Sequence, residues 1–127
     1  HAQKDRDKED LVGAIITGEE IFEFQKLVKK LYVHEDVLKY ITQIIQQTRT
    51  NPSLTLGASP RASIAILESC KAFAVLQGRD FVTPDDVKYL APAILGHRVQ
   101  LTPEKEMEGF SADYIIRQII ESVEIPR

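Results

Sequence analysis

The sequence contains a single cysteine, Cys70, among its 127 residues. One cysteine cannot form a disulfide within the chain, which suits a reducing compartment, so we expect the protein to be cytoplasmic. Because Cys70 falls inside an apolar segment, we interpret it as a small buried hydrophobic residue. No apolar run approaches the roughly 20 residues that span a bilayer, and the charged N-terminal residues lack the apolar stretch of a signal peptide. We expect no insertion into a membrane.

The common catalytic and metal-binding motifs are also missing. The chain contains no GxxxxGK(S/T) phosphate loop and no HExxH, GxSxG or CxxC motif. Asp85 and Asp86 are adjacent carboxylates, but no histidine, asparagine or third acid stands at ligand spacing. We therefore interpret both as complements to a helix dipole. A self-contained active site and a metal site are not expected.

Basic charge is scarcer than acidic charge, with 16 Lys and Arg against 19 Asp and Glu and a net charge of −3. A nucleic-acid partner requires a basic surface, so this balance argues against one. Charged residues make up 28% and hydrophobic residues 43%, which indicates a soluble globular protein. We predict a charged linker over residues 1–16 and one folded domain over residues 17–127.

Helix signals begin with a capping box formed by Thr17 and Glu20. Its helix carries apolar residues at spacings of three and four, with lysines near its end to complement the dipole: Ile21, Phe24, Leu27, Val28 and Leu31, then Lys26, Lys29 and Lys30. A second helix covers about residues 35–48, with His34 as a candidate cap. Its predicted buried stripe consists of Val37, Leu38, Ile41, Ile44, Ile45 and Thr48.

Two further helices are predicted towards the C-terminus. Thr83 at the N-cap and Pro84 at the first helical position open one, and Gly96 ends it. Ser111 caps the last helix, whose predicted buried residues are Ile115, Ile116, Ile119, Ile120 and Val123. No strand pattern is long enough for a sheet, so we predict an all-α fold, a small helical bundle of about five helices.

The central helix follows the segment Gly57-Ala58-Ser59-Pro60-Arg61-Ala62. We predict that Gly57 allows a tight turn, that Ser59 is the N-cap and that Pro60 takes the first helical position. Gly78 is predicted as the C′ residue that closes this helix. Residues 64–76 are apolar almost all round, which predicts a central buried helix.

Arg61 conflicts with this picture, because a cation in the first turn is disfavoured by the positive end of the helix dipole. An anion such as a phosphate, bound by both the guanidinium and the helix N-terminus, would resolve the conflict. The alternatives are that Arg61 points into solvent or pairs with a nearby carboxylate. The residues alone leave these possibilities open.

Several blocks of the sequence closely resemble the lid domain of MoxR-type AAA+ ATPases. The most specific signal is the separation between a Gly-Ala-Ser-Pro-Arg-Ala block and a Gly-Arg-Asp-Phe-Val-Thr-Pro-Asp-Asp-Val block. The resemblance covers roughly residues 19–126. The matching segments are residues 33–41, 56–63, 77–87, 90–99 and 119–123, with Pro126.

The resemblance implies a helical lid beside the nucleotide cleft of an ATPase body, in a ring that is usually hexameric. It implies that Arg61 is the sensor 2 residue, which contacts the γ-phosphate of ATP in its own subunit or a neighbour's. Ser59 and Pro60 would shape the loop. Since the family's Walker motifs lie in the body, residues 1–16 would be the connector from it, and the isolated chain would need no cofactor and hydrolyse nothing.

For the parent protein, the resemblance implies an ATP hydrolase with Mg²⁺, chaperone-like, with a possible von Willebrand-type partner protein. Two rival interpretations remain. One is a stand-alone helical interaction module without a nucleotide role, since residues 81–87 also look like a loop of histone-like folds. The other is the lid of a related AAA+ branch, of the magnesium chelatase or helicase type.

Overall fold

The structure is a computed structural model that describes residues 17–126. The predicted linker over residues 1–16 therefore lies outside the described residues. The chain divides into two compact units between Lys30 and Leu31, and each is described by itself.

The first unit contains helix α1, Gly18–Lys30. The predicted capping box is present, because the Glu20 amide donates to the Thr17 hydroxyl at 3.1 Å and the Thr17 amide donates to the Glu20 carboxylate at 3.4 Å. Lys29 and Lys30 lie in its last turn, as expected for dipole complements. None of the residues of α1 is buried in the described part of the chain. Leu31, predicted on the same face, is instead a buried residue of the second unit.

The second unit consists of five helices and two short strands. In chain order these are α2 (Glu35–Thr50), β1 (Leu54–Leu56), α3 (Arg61–Leu76), α4 (Pro84–Leu95), β2 (Gln100–Leu101), α5 (Pro103–Met107) and α6 (Ala112–Ser122). The prediction of an all-α bundle is confirmed, with six helices over residues 17–126. The two strands are the departure from it: Leu54 pairs with Leu101 and Leu56 with Gln100 in an antiparallel ladder. Each strand is too short to show a period of two in the sequence.

Helix α3 lies against α2 and α4, and α6 packs on α2 and α4. The core that they enclose is built from isoleucines and small side chains. Its buried members include Ile41, Ile44, Ile45, Ala62, Ile66, Cys70, Ala74, Val87, Ala91, Leu95, Ile116 and Ile120. The predicted stripe of α6 is confirmed in full.

Two details of the predicted core are wrong. Leu38 of α2 is exposed, and Tyr40 takes its place with 1% of its surface exposed. Helix α3 is central but is not buried all round, since Ile64 and Leu76 are 60% and 72% exposed. Its buried residues recur every four positions, so they form one narrow face rather than a full circumference: Ala62, Ile66, Cys70 and Ala74.

The helix ends agree with the local signals. Gly78 has a φ of +75°, its amide donates to the Val75 carbonyl, and the Arg79 amide donates to the Ala74 carbonyl at 2.9 Å. This is a Schellman motif, as expected for a glycine at C′. The His34 and Ser111 side chains cap α2 and α6, because they accept from the amides of Asp36 and Tyr114.

Candidate functional site

The loop before Arg61 rests directly on the last turn of α2. The Thr48 hydroxyl accepts a hydrogen bond from the Ala58 amide at 3.0 Å, and both residues are buried. A Cβ placed on Gly57 would lie 2.5 Å from the Cα of Arg49 and 2.6 Å from the carbonyl oxygen of Thr48. Such distances leave no room for a side chain. The start of α3 is therefore held against the end of α2.

The role predicted for Gly57 is thus wrong in its reason. Among the described glycines, a positive φ occurs at Gly78 and Gly109, and not at Gly57. Gly57 is required because two stretches of backbone meet there, which the sequence around it does not reveal.

The predicted N-cap is also wrong. Helix α3 is regular from Arg61, and Pro60, at φ −56° and ψ −25°, precedes it without a side-chain cap. The Ser59 and Pro60 carbonyls accept from the amides of Ala62 and Ser63 at 2.9 and 3.1 Å. Pro60 already has helical angles, and the bond from the Ala62 amide to the Ser59 carbonyl closes a single turn just before the regular helix. Within residues 17–126 the Ser59 hydroxyl makes no hydrogen bond that caps α3.

Arg61 is exposed in the first turn of α3. It makes no ion pair and no side-chain hydrogen bond with any residue that the structure describes. No acidic residue lies in the first turn of α3 to offset the helix dipole. The predicted alternative of a carboxylate partner is therefore wrong for the described part of the chain. The guanidinium and the helix N-terminus present positive potential together.

Apolar side chains are exposed close to Arg61 in the chain. Ile64, one turn further along α3, is 60% exposed, and Leu56, at the end of β1, is 59% exposed. Since residues three apart lie on the same side of a helix, Ile64 and Arg61 are neighbours on one exposed face of α3. Arg61 therefore lies beside one exposed apolar side chain on α3.

An ion pair between Arg79 and Asp86 is the feature that the sequence reasoning missed. Arg79 donates to both carboxylate oxygens of Asp86, at 2.9 and 2.6 Å, and also to the Phe81 carbonyl. The Thr83 amide donates to the same carboxylate at 2.9 Å. Asp86, with 4% of its surface exposed, is therefore more than a dipole complement. The pair connects the end of α3 to the start of α4.

Burial by itself raises the pKa of the Asp86 carboxyl. The hydrogen bonds from Arg79 and from the Thr83 amide, together with the Arg79 charge, outweigh burial and hold this pKa below its usual value. The signal in the sequence was the spacing of Thr83 and Asp86, which is that of a capping box. Asp85 is exposed in the first turn of α4, where it complements the dipole as predicted.

Cys70 and the carboxylates offer no separate chemistry. Burial, followed by the Asp86 charge, raises the pKa of the Cys70 thiol to about 12, so the thiol stays protonated and unreactive. No cluster of three or more His, Cys, Asp or Glu side chains suited to a metal ion occurs over residues 17–126. Within the same range, every helix is too short or too polar to cross a membrane.

Comparisons with known proteins give a consistent answer. The family model of the AAA lid domain matches residues 46–119. The chain is 42% identical to the uncharacterized protein YeaC of Bacillus subtilis over 88% of its length, which is 35% of that protein. It is 28% identical to the chaperone MoxR1 of Mycobacterium tuberculosis over 89% of its length and 32% of that protein.

A similar solved structure comes from Cytophaga hutchinsonii, from a protein proposed to be an ATPase. The two superpose with a TM-score of 0.81 at 33% identity, over 86% of this chain and 36% of the other. The chain therefore spans about a third of the length of the relatives that it matches.

Proposed function

This chain belongs to the AAA lid domain family, of the MoxR type, and we propose that it is the sensor 2 lid of a longer AAA+ ATPase. In this proposal Arg61 contacts the γ-phosphate of ATP. The observation that carries it is a single one: Arg61 is exposed, unpaired among residues 17–126 and located at a helix N-terminus without an acid. That arrangement destabilises an isolated helix slightly and becomes favourable once an anion is bound.

The chemistry of the anion follows from the residues. A planar guanidinium can donate two parallel hydrogen bonds to the oxygens of one phosphate group. Mg²⁺ and ATP would be held by the body domain, and the bound nucleotide supplies the phosphoryl group that is hydrolysed. The contribution of this chain is one positive charge held in place before the reaction begins, which stabilises charge that develops on that group.

The lid's proposed role is also mechanical. Arg61 would respond to the presence of the γ-phosphate and change the angle between body and lid, and the ring would pass this change to neighbouring subunits. Ile64, which is exposed one turn from Arg61 on α3, supports a contact with another protein at that place, since interfaces combine apolar side chains with arginine. We propose the body of the same chain and adjacent subunits as partners, in a cytoplasmic, chaperone-like machine that works with a von Willebrand-type partner protein.

The test is ATP hydrolysis by the full-length protein, wild type against Arg61→Ala. We expect turnover to fall about tenfold or more, because a charged contact to the reacting phosphate is lost. Arg61→Lys should restore only part of it, since an ammonium cannot make the bidentate contact. Circular dichroism and size-exclusion chromatography would establish that each variant is folded and assembled.

The matched control is Arg117→Ala. Arg117 is also exposed on a helix but pairs with Asp113 at 2.7 Å. Its replacement by alanine removes the same charge and leaves Arg61 unchanged. Turnover should stay within about twofold of wild type, as for most surface substitutions. Equal turnover for Arg61→Ala and Arg117→Ala would exclude the sensor assignment and favour a helical interaction module.

A further inference from the structure

We infer that Thr48 is a positioning residue for Arg61: its hydroxyl, through the Ala58 amide, fixes the loop that presents the guanidinium. The inference deepens the proposed function and rests on it. Thr48 lies in the last turn of α2, 13 residues before Arg61 in the chain. We therefore argue its effect on Arg61 through the loop that connects them.

The Thr48 hydroxyl both donates and accepts a hydrogen bond. It donates to the Ile45 carbonyl at 2.6 Å and accepts from the Ala58 amide at 3.0 Å, with 1% of the residue's surface exposed. The hydroxyl proton is directed at the Ile45 carbonyl, and an oxygen lone pair accepts from the Ala58 amide. The two bonds together fix the orientation of the hydroxyl. The Ala58 amide is buried with it, so a lost partner would leave an unsatisfied donor.

The connection from Ala58 to Arg61 is short and stiff. Only Ser59 and Pro60 lie between them, and the ring of Pro60 restricts its φ, which is −56° here. Gly57 on the other side is in backbone contact with Arg49. A shift of Ala58 away from α2 is therefore transmitted to the first turn of α3 rather than absorbed in the loop.

Position matters for a group of this kind. A guanidinium forms a hydrogen bond to a transferring phosphate only at short range, and a displacement of about 1 Å in a supporting element can cost up to 100-fold in rate. Thr42 on the same helix provides the comparison. Its hydroxyl donates to the Leu38 carbonyl, four residues back, at 3.0 Å, but Thr42 is exposed, and within residues 17–126 its hydroxyl makes no hydrogen bond to the loop.

The experiment measures kcat and KM for ATP in the full-length protein with Thr48→Val, Thr48→Ser and Thr42→Val. Valine keeps the shape of threonine but cannot accept the Ala58 hydrogen bond. We expect Thr48→Val to lower kcat about three- to tenfold, with Thr48→Ser and Thr42→Val within about twofold of wild type. Full rescue by serine would assign the effect to the hydroxyl.

A double-mutant cycle separates positioning from stability. If Thr48 acts through Arg61, Thr48→Val should cause no further loss in the Arg61→Ala background, because the group that it positions is gone. Equal losses in both backgrounds, or no loss in either, would overturn the inference while leaving the Arg61 result intact. An Arg61→Ala variant with wild-type turnover would instead overturn the proposed function, and the inference with it.

If Thr48→Val does not fold, a second variant tests the same inference. Gly57→Ala displaces the same loop without changing the hydroxyl, since its new Cβ would meet Arg49. We expect it to lower kcat as Thr48→Val does and to be equally silent in the Arg61→Ala background. Hydrogen exchange at the amides of residues 57–59 should accelerate in both variants, and unchanged exchange with unchanged kcat would contradict the inference.

Discussion

At the scale of single residues, one partly buried ion pair stabilises the second unit. Arg79 binds both oxygens of Asp86, and the Thr83 amide binds one of them. Arg79 remains 26% exposed, so the pair is only partly withdrawn from water. Removing one partner of such a pair is costly, because the other charge and the amide lose their bonds without regaining full hydration.

We therefore expect Asp86→Asn to lower the free energy of unfolding by about 2 kcal/mol at pH 7. Asp85→Asn, at the exposed neighbouring position, is the matched control and should change it by less than about 0.5 kcal/mol. Urea unfolding followed by circular dichroism would measure both. A loss of the same size for the two variants would mean that the ion pair adds nothing beyond the dipole effect.

The pH dependence has a definite sign. Because the pKa of Asp86 is lower in the folded chain than in the unfolded chain, its stabilisation is present above the unfolded pKa. It is lost as the pH falls from about 4 through the folded pKa, where the carboxylate takes up a proton. The difference between wild type and Asp86→Asn should therefore shrink below about pH 4. A constant difference from pH 7 to pH 3 would contradict this account.

At the scale of helices, α3 illustrates what a composition can and cannot predict. Its run of apolar residues predicted burial, yet only every fourth residue is buried, Leu67 and Val75 are partly buried against the core, and Ile64 is 60% exposed. Which apolar residues are covered depends on where α2 and α4 lie, and the sequence of α3 alone does not contain that.

A pair of substitutions on this helix separates core from surface. Ile66→Ala removes a fully buried side chain and should lower the free energy of unfolding by about 2–5 kcal/mol, through lost burial and the cavity left behind. Ile64→Ala, two positions earlier, should cost less than about 1 kcal/mol, because its side chain already contacts water. Chemical denaturation would decide, and equal costs would show that the buried face of α3 is misassigned.

The predictable features of the fold are local ones. Capping at Thr17, Thr83 and Ser111 and the helix stop at Gly78 follow from hydrogen bonds within four or five residues, so the sequence displays them directly. The pairing of β1 with β2 joins residues more than 40 positions apart, and strands of three and two residues leave no pattern in the sequence. The same holds for the contact of Gly57 with Arg49, where the requirement comes from a distant backbone.

At the scale of the whole molecule, the proposed function gives this chain one half of a site. The anomaly of Arg61 was visible in the sequence because a cation at a helix start contradicts a local rule, and its exposure without a partner over residues 17–126 agrees with that observation. Its proposed ligand cannot be read from the same residues, since the groups that would hold Mg²⁺ and ATP belong to another domain. Thr48 was placed in the predicted stripe, but its bond to Ala58 required the fold.

If the nucleotide is bound by another domain and only Arg61 comes from this chain, the behaviour of the isolated 127-residue chain can be predicted. Water and salt ions compete with a phosphate for a single guanidinium on an open surface, so this contact should be weak at physiological ionic strength. We expect the isolated chain to release no phosphate from ATP above the level of buffer, and the full-length protein to do so in an Arg61-dependent manner. A phosphate-release assay on both, at equal concentrations and with Arg61→Ala in each, compares the two directly. ATP hydrolysis by the isolated chain that survives Arg61→Ala would place catalytic groups within these residues, and would contradict the assignment of the chain as a lid that acts on a nucleotide bound elsewhere.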